Sequence, residues 1–236
     1  SSGSVLFAGG HEAIGLTAPA LRLSFAEGAG DMFDPFLLLA NPSPSVTAQV
    51  EVTYLRTDDA PIVRTYDVLP ESRHTVWIKP EIPALAKASF SIDVRSLNNV
   101  PVLAERAMWW NVGGDVGLEG HVSQGTPVLG PRWGIAEGYA DAAGNVSPWV
   151  LIGNMSLVAG DVDVTVYFDD GSSPVTRRYH VDAQRRLTVW VPFDFPSAVG
   201  KRFGVTVFTA PGQTLDLVVD HSLYWSALGI PYAAGT

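Results

Sequence analysis

The chain has 236 residues, 47% hydrophobic and 17% charged, so core material is ample and the composition argues against disorder. A formal net charge of −9, only 15 Lys plus Arg and no basic run longer than Arg177-Arg178 or Arg185-Arg186 leave no face for a phosphate backbone, and no nucleic-acid partner is expected. The absence of cysteine removes disulfides, thiolate metal sites and cysteine nucleophiles together.

No apolar stretch approaches the roughly 18 residues that span a bilayer. The longest, Phe36-Leu37-Leu38-Leu39-Ala40, is strand-sized, and no membrane span is expected. The opening Ser1-Ser2-Gly3-Ser4 is the kind of start that processing or excision leaves.

In chain order, the first element is a leader, residues 1–22. Its apolar Val5, Leu6, Phe7, Ala8 and Ile14 read as a β-strand with no sheet of its own, expected to be donated to the open edge of a neighbouring subunit. Period-two alternation follows. Val46, Ala48, Val50, Val52 and Tyr54 alternate with Thr47, Gln49, Glu51 and Thr53, which predicts a strand with one wet face. Asp58-Asp59-Ala60-Pro61 supplies a turn, the next strand runs to Tyr66 and Val68, and alternation resumes at Val76/Ile78, Phe90/Ile92/Val94 and Val102 to Trp110. Pro83-Ala84-Leu85-Ala86-Lys87 predicts about one helical turn, a crossover between sheets.

The chain then repeats itself. Phe25-Ala26-Glu27-Gly28 returns as Ile135-Ala136-Glu137-Gly138, and Pro35 to Asn41 as Pro148 to Asn154. Val50-Glu51-Val52-Thr53 returns as Val162-Asp163-Val164-Thr165, Thr75-Val76-Trp77 as Thr188-Val189-Trp190, and Glu105 to Trp110 as Asp220 to Trp225. Order is kept while the offset drifts only from about 110 to about 115 positions, as loop-length changes produce. The fold class expected is all-β: two tandem immunoglobulin-like β-sandwich domains of roughly seven strands each, at 23–115 and 133–236, joined by a linker at 116–132.

The series Phe25-Ala26-Glu27-Gly28, Leu37-Leu38-Leu39-Ala40-Asn41-Pro42 and Glu105-Arg106-Ala107-Met108-Trp109-Trp110 resembles the tandem β-sandwich repeats of long secreted bacterial surface proteins. The resemblance covers nearly the whole chain and is weaker in the second copy, at Gly153-Asn154-Met155 and Asp220-His221-Ser222. It implies a secreted, cell-surface location and modularity, and it brings no catalytic residues.

Candidate chemistry is sparse. His11-Glu12-Ala13-Ile14-Gly15 lacks the second imidazole of a zinc-protease helix, and His11, His74, His121, His180 and His221 never pair at ligand spacing. Asp31/Asp34 and Asp169-Asp170-Gly171 read as turns rather than calcium loops. Neither cofactor nor metal is expected. Glu27, Glu137, Glu105 and Asp220 have the residue type of a glycosidase acid and base, but their recurrence in both copies points to structure. Arg106 shares strand parity with Val102, Ala104, Met108 and Trp110, and a buried cation needs a carboxylate. Glu27 is the expected partner of Arg106, and Glu137 that of His221. Trp77/Trp190 and Trp110/Trp225 read as core or inter-domain packing, with sugar stacking the alternative. Asn145-Val146-Ser147 and Asn154-Met155-Ser156 match the N-glycosylation pattern.

These readings converge on a non-enzymatic structural protein, a subunit or stalk module of a surface filament, sheath or adhesin. Its expected partners are copies of itself or neighbouring repeats, joined head to tail. The alternative is a carbohydrate- or cell-wall-binding module that takes a glycan.

Overall fold

In the computed structural model, residues 6–7, 13–110, 116–117, 119–227 and 230–235 are described. A short β1 (Leu6–Phe7) precedes β2 (Arg22–Phe25), β3 (Phe33–Asn41), β4 (Ala48–Arg56), β5 (Ile62–Val68) and β6 (Ser72–Trp77). Helix α1 (Ile78–Glu81) and a 3₁₀ turn at Pro83–Leu85 lead to β7 (Phe90–Ser96), β8 (Leu103–Trp110), β9 (Val116–Gly117) and β10 (Glu119–Gln124). The order then recurs: β11 (Arg132–Ile135), β12 (Val146–Asn154), β13 (Gly160–Phe168), β14 (Val175–Val181), β15 (Arg185–Trp190), α2 (Val191–Asp194), a 3₁₀ turn at Pro196–Ala198, β16 (Phe203–Thr209), β17 (Leu217–Ala227) and β18 (Ile230–Gly235).

Four antiparallel four-stranded sheets form two β-sandwiches. The N-terminal pair has the strand orders β2-β7-β4-β5 and β10-β8-β3-β6, and the C-terminal pair β11-β16-β13-β14 and β18-β17-β12-β15. Registers correspond as well. Phe36 faces Ala107 and Trp77 across the ladder, and Trp149 faces Ser222 and Trp190. Alternation explains each core: Val50, Val52 and Tyr54 with Ile92 and Val94 are fully buried in one sandwich, Val162, Val164 and Val166 in the other.

One sequence reading needs correction. Residues 116–132, read as linker, contain β10, which pairs with β8 and extends the N-terminal sandwich to eight strands. The buried His121 and Ser123 give it an inward face that polar side chains disguised. The helical turn expected at Pro83–Lys87 is the 3₁₀ turn Pro83–Leu85, preceded by a second turn, Ile78–Glu81, and the buried Ile78, Ile82 and Leu85 anchor both to the core. Among the described residues, no helix is long and apolar enough to cross a membrane.

Candidate functional site

The sandwiches meet through dissimilar surfaces. The outer end of the β2-β7-β4-β5 sheet packs on the outer face of β18-β17-β12-β15, around a small apolar core of Ala26, Leu55, Leu151, Met155 and Val218. Beside that core lies a buried polar cluster, the densest set of ionisable groups in the described structure.

Glu27 stands at its centre. Strand β2 stops at Phe25, and Gly28 lets the following loop lie flat on Phe90, where a Cβ would meet the ring at 2.5 Å and the carbonyl oxygen at 2.9 Å. The Phe90 amide donates to the Gly28 carbonyl at 2.9 Å and fixes the loop. Glu27 is thereby turned inward and is 1% exposed. Its Oε2 lies 2.7 Å from Arg106 Nη2 and 2.8 Å from His121 Nε2. Arg106 Nη1 donates to the Glu27 carbonyl at 2.6 Å.

The opposite sandwich completes the shell. Ser222 Oγ donates to Glu27 Oε1, and Tyr224 OH donates to the same atom at 3.2 Å. Asp220 Oδ2 accepts from the amides of Ala26 and Glu27, at 2.8 and 2.9 Å. Arg186, 5% exposed, donates from Nη1 to the carbonyls of Gly28 and Phe90. Asp220, Ser222 and Tyr224 reach the loop together because they alternate along one face of β17.

Charge states follow from these neighbours. Burial pushes Glu27 up, but His121 and Arg106 outweigh it and hold the carboxyl well below the usual range. Burial raises Asp220 to about 6 against the pull of Arg106. Burial lowers Arg186 to about 10 and raises the Tyr224 hydroxyl, the latter with help from the Glu27 charge. A carboxylate so enclosed has no solvent access. What this arrangement can do is lock two surfaces together.

The remaining candidates lie elsewhere. Glu137 is exposed and lines the same small cleft as His221. Burial lowers His221, with Glu137 opposing. Glu137 is thus open to solvent where Glu27 is enclosed. Leu6 and Phe7, read as part of a donated strand, pair in parallel with Val116 and Gly117. Ile14 is 84% exposed, and Val5, Ala8, His11 and Glu12 lie outside the described residues. Trp110 is buried, but Trp77 and Trp190 are 49% and 41% exposed, which corrects their reading as core. Both project from an outer sheet face, Trp77 stacked on Phe36 and Trp190 on Trp149 and Phe193. Asn154 is fully buried, its amide spent on loop carbonyls rather than offered for glycosylation. Among the described residues no three His, Asp or Glu converge as metal ligands.

Sequence reasoning missed His121, Ser222, Tyr224 and Arg186 as members of this cluster. The alternation of Asp220, Ser222 and Tyr224 was visible, but an outer sheet face normally meets water, and nothing local says that another sandwich covers it.

No protein-family model matches the chain. No curated protein matches it either. Among solved structures, Thermotoga maritima 1070 is similar over 46% of this chain and 94% of its own, at 18% identity and a TM-score of 0.41. The Anabaena sensory rhodopsin transducer is similar over 41% of this chain and 99% of its own, at 26% identity and a TM-score of 0.34. An Amycolatopsis orientalis exo-chitosanase matches 91% of this chain but 24% of its own, at 14% identity and a TM-score of 0.19. At such TM-scores these likenesses carry no argument about what this chain does.

Proposed function

We propose that this chain is an extracellular structural protein: two tandem, immunoglobulin-like sandwich domains serving as a subunit or stalk module of a bacterial surface filament, sheath or adhesin. The reading supposes a duplication, and it assigns the chain to the repeats of long secreted surface proteins that its sequence resembles. It takes the role to be mechanical and not enzymatic.

One observation carries it. The most elaborate chemistry in the described molecule, the Glu27 cluster, is spent on joining one sandwich to the next. A polar lock surrounded by apolar contacts gives a joint fixed register at the cost of burying charge. That is a use of charge suited to a part that must hold its neighbour in one orientation. Negative-stain microscopy and fractionation of the native producer test the reading. Ordered extracellular fibres or layers containing this chain are expected, and dispersed cytosolic monomers would overturn it.

A second reading has its own support. Trp149, Trp190 and Phe193 stack nearly parallel, with interplanar angles of 12° and 6°, and Phe193 is 72% exposed. A flat aromatic platform of this kind suits the apolar face of a sugar ring. A glycan array reads it directly: hits that Trp190→Ala abolishes support a carbohydrate-binding module, and an empty array disposes of it.

A further inference from the structure

The junction between the sandwiches consumes one surface from each, and the corresponding surface on each remains uncovered by a sandwich. From the N-terminal sandwich the junction takes Ala26-Glu27-Gly28 with Leu55 and Ser91, which face each other across the β4–β7 ladder. Ala26, Glu27, Leu55 and Ser91 are all at most 1% exposed. The same places in the C-terminal sandwich are Ala136-Glu137-Gly138 with Tyr167 and Gly204, which face each other across the β13–β16 ladder. There they line an open cleft of about 450 Å³, with Glu137 exposed and Tyr167 43% exposed.

The receiving face shows the same disparity. Leu151, Val218 and Arg186 are 2%, 0% and 5% exposed because the N-terminal sandwich sits on them. By register, Arg186 and Val218 flank Gly153, just as Arg73 and Leu103 flank Ala40. Leu38, Leu103 and Glu105 are only partly buried, and Arg73 is exposed.

We propose that the Ala136-Glu137-Gly138 cleft of one molecule docks on the outer β10-β8-β3-β6 face of a second copy, repeating between molecules the junction found within one. Two of the internal contacts have counterparts there. Glu105 stands where Asp220 accepts the amides of the loop, and Arg73 stands where Arg186 donates to the glycine carbonyl. Trp109 occupies the register position of Tyr224. Four substitutions make the external joint weaker than the internal one: Ala107 lacks the Ser222 hydroxyl, Trp109 lacks the Tyr224 hydroxyl, His221 replaces Arg106, and Ala234 stands in the register of His121. The joined faces differ, so the contact is heterologous and its repetition closes a ring or extends a filament.

This inference rests on the assembly reading and specifies its contact. Sedimentation of the full chain over a concentration series, with a disulfide trap, tests it. The internal pair to copy is Gly153 and Ser91, where a Cβ on Gly153 would come 2.8 Å from the Ser91 hydroxyl. The external equivalents are Ala40 and Gly204. In this cysteine-free chain, Ala40→Cys with Gly204→Cys is expected to give a ladder of covalent multimers on oxidation, where either change alone, with no second thiol at the contact, leaves monomers. Glu137→Lys is expected to weaken self-association at least about tenfold; should that variant fold poorly, Arg73→Glu on the opposite face reads the same contact. Self-association that persists without a ladder and ignores both charge changes would sink this contact while leaving the assembly reading standing. A chain that sediments as a monomer throughout would sink both.

Discussion

Glu27 Oε2 and Arg106 Nη2 lie 2.7 Å apart, with the two side chains 1% and 0% exposed. Removing one member of such a pair strands the other's charge in the interior. Glu27→Ala is expected to destabilise the protein by about 3–5 kcal/mol in urea unfolding. Replacing both by apolar residues of similar size, Glu27→Leu with Arg106→Met, is expected to recover much of that loss. Glu137→Ala, at the exposed counterpart, is expected to stay within about 0.5 kcal/mol. Equal effects at Glu27 and Glu137 would contradict the asymmetry described above.

The cluster also predicts an optimum in pH. Asp220, raised to about 6 by burial, binds its proton more tightly folded than unfolded. Its contribution is therefore fully present below the unfolded value near 4 and is lost as pH rises through 6. Glu27 is depressed, so its contribution is present above the unfolded value and lost as pH falls toward its folded one. Stability is expected to rise from pH 7 to about 5, by about 1 kcal/mol, and then to fall in stronger acid. Urea midpoints for the wild type and Asp220→Asn separate the two limbs: the variant loses the rise and keeps the acid loss.

Packing at the junction leaves no room at Gly153. An added methyl would meet Ser91 Oγ at 2.8 Å, Met155 Cε at 2.9 Å and Val218 Cγ1 at 3.0 Å. Gly153→Ala is expected to cost about 1–3 kcal/mol by wedging the sandwiches apart. Gly134, also in a strand, has nothing within 4 Å of such a methyl, and Gly134→Ala is expected to be nearly neutral. Thermal unfolding of the two variants makes the comparison.

Asn41 and Asn154 perform the same task in the two sandwiches. The Asn41 amide donates to the Val46 and Val68 carbonyls, and Asn154 donates to Val158 and Asp182. Each side-chain oxygen accepts the amide two residues on, at Ser43 and Ser156. Either Asn→Ala is expected to cost about 1–3 kcal/mol, because buried carbonyls lose their donor. If neither substitution moves the melting temperature, these latches are ornamental.

Strand alternation is a local property, and the residues alone carried it. Val50, Val52 and Tyr54, like Val162, Val164 and Val166, are buried as their spacing anticipated. The inward parity of Arg106 with Ala104 and Met108 was equally legible, since β-strand geometry leaves it nowhere else to point. Which surface covers which was not. Whether Asp220, Ser222 and Tyr224 meet water or a glutamate depends on the packing of sheets far apart in sequence, and the pattern of one strand is the same in either case. Equivalent loops, Ala26-Glu27-Gly28 and Ala136-Glu137-Gly138, therefore ended in opposite environments, one sealed and one open. Only the tertiary arrangement decides that, because burial is a property of neighbours and not of the residues buried.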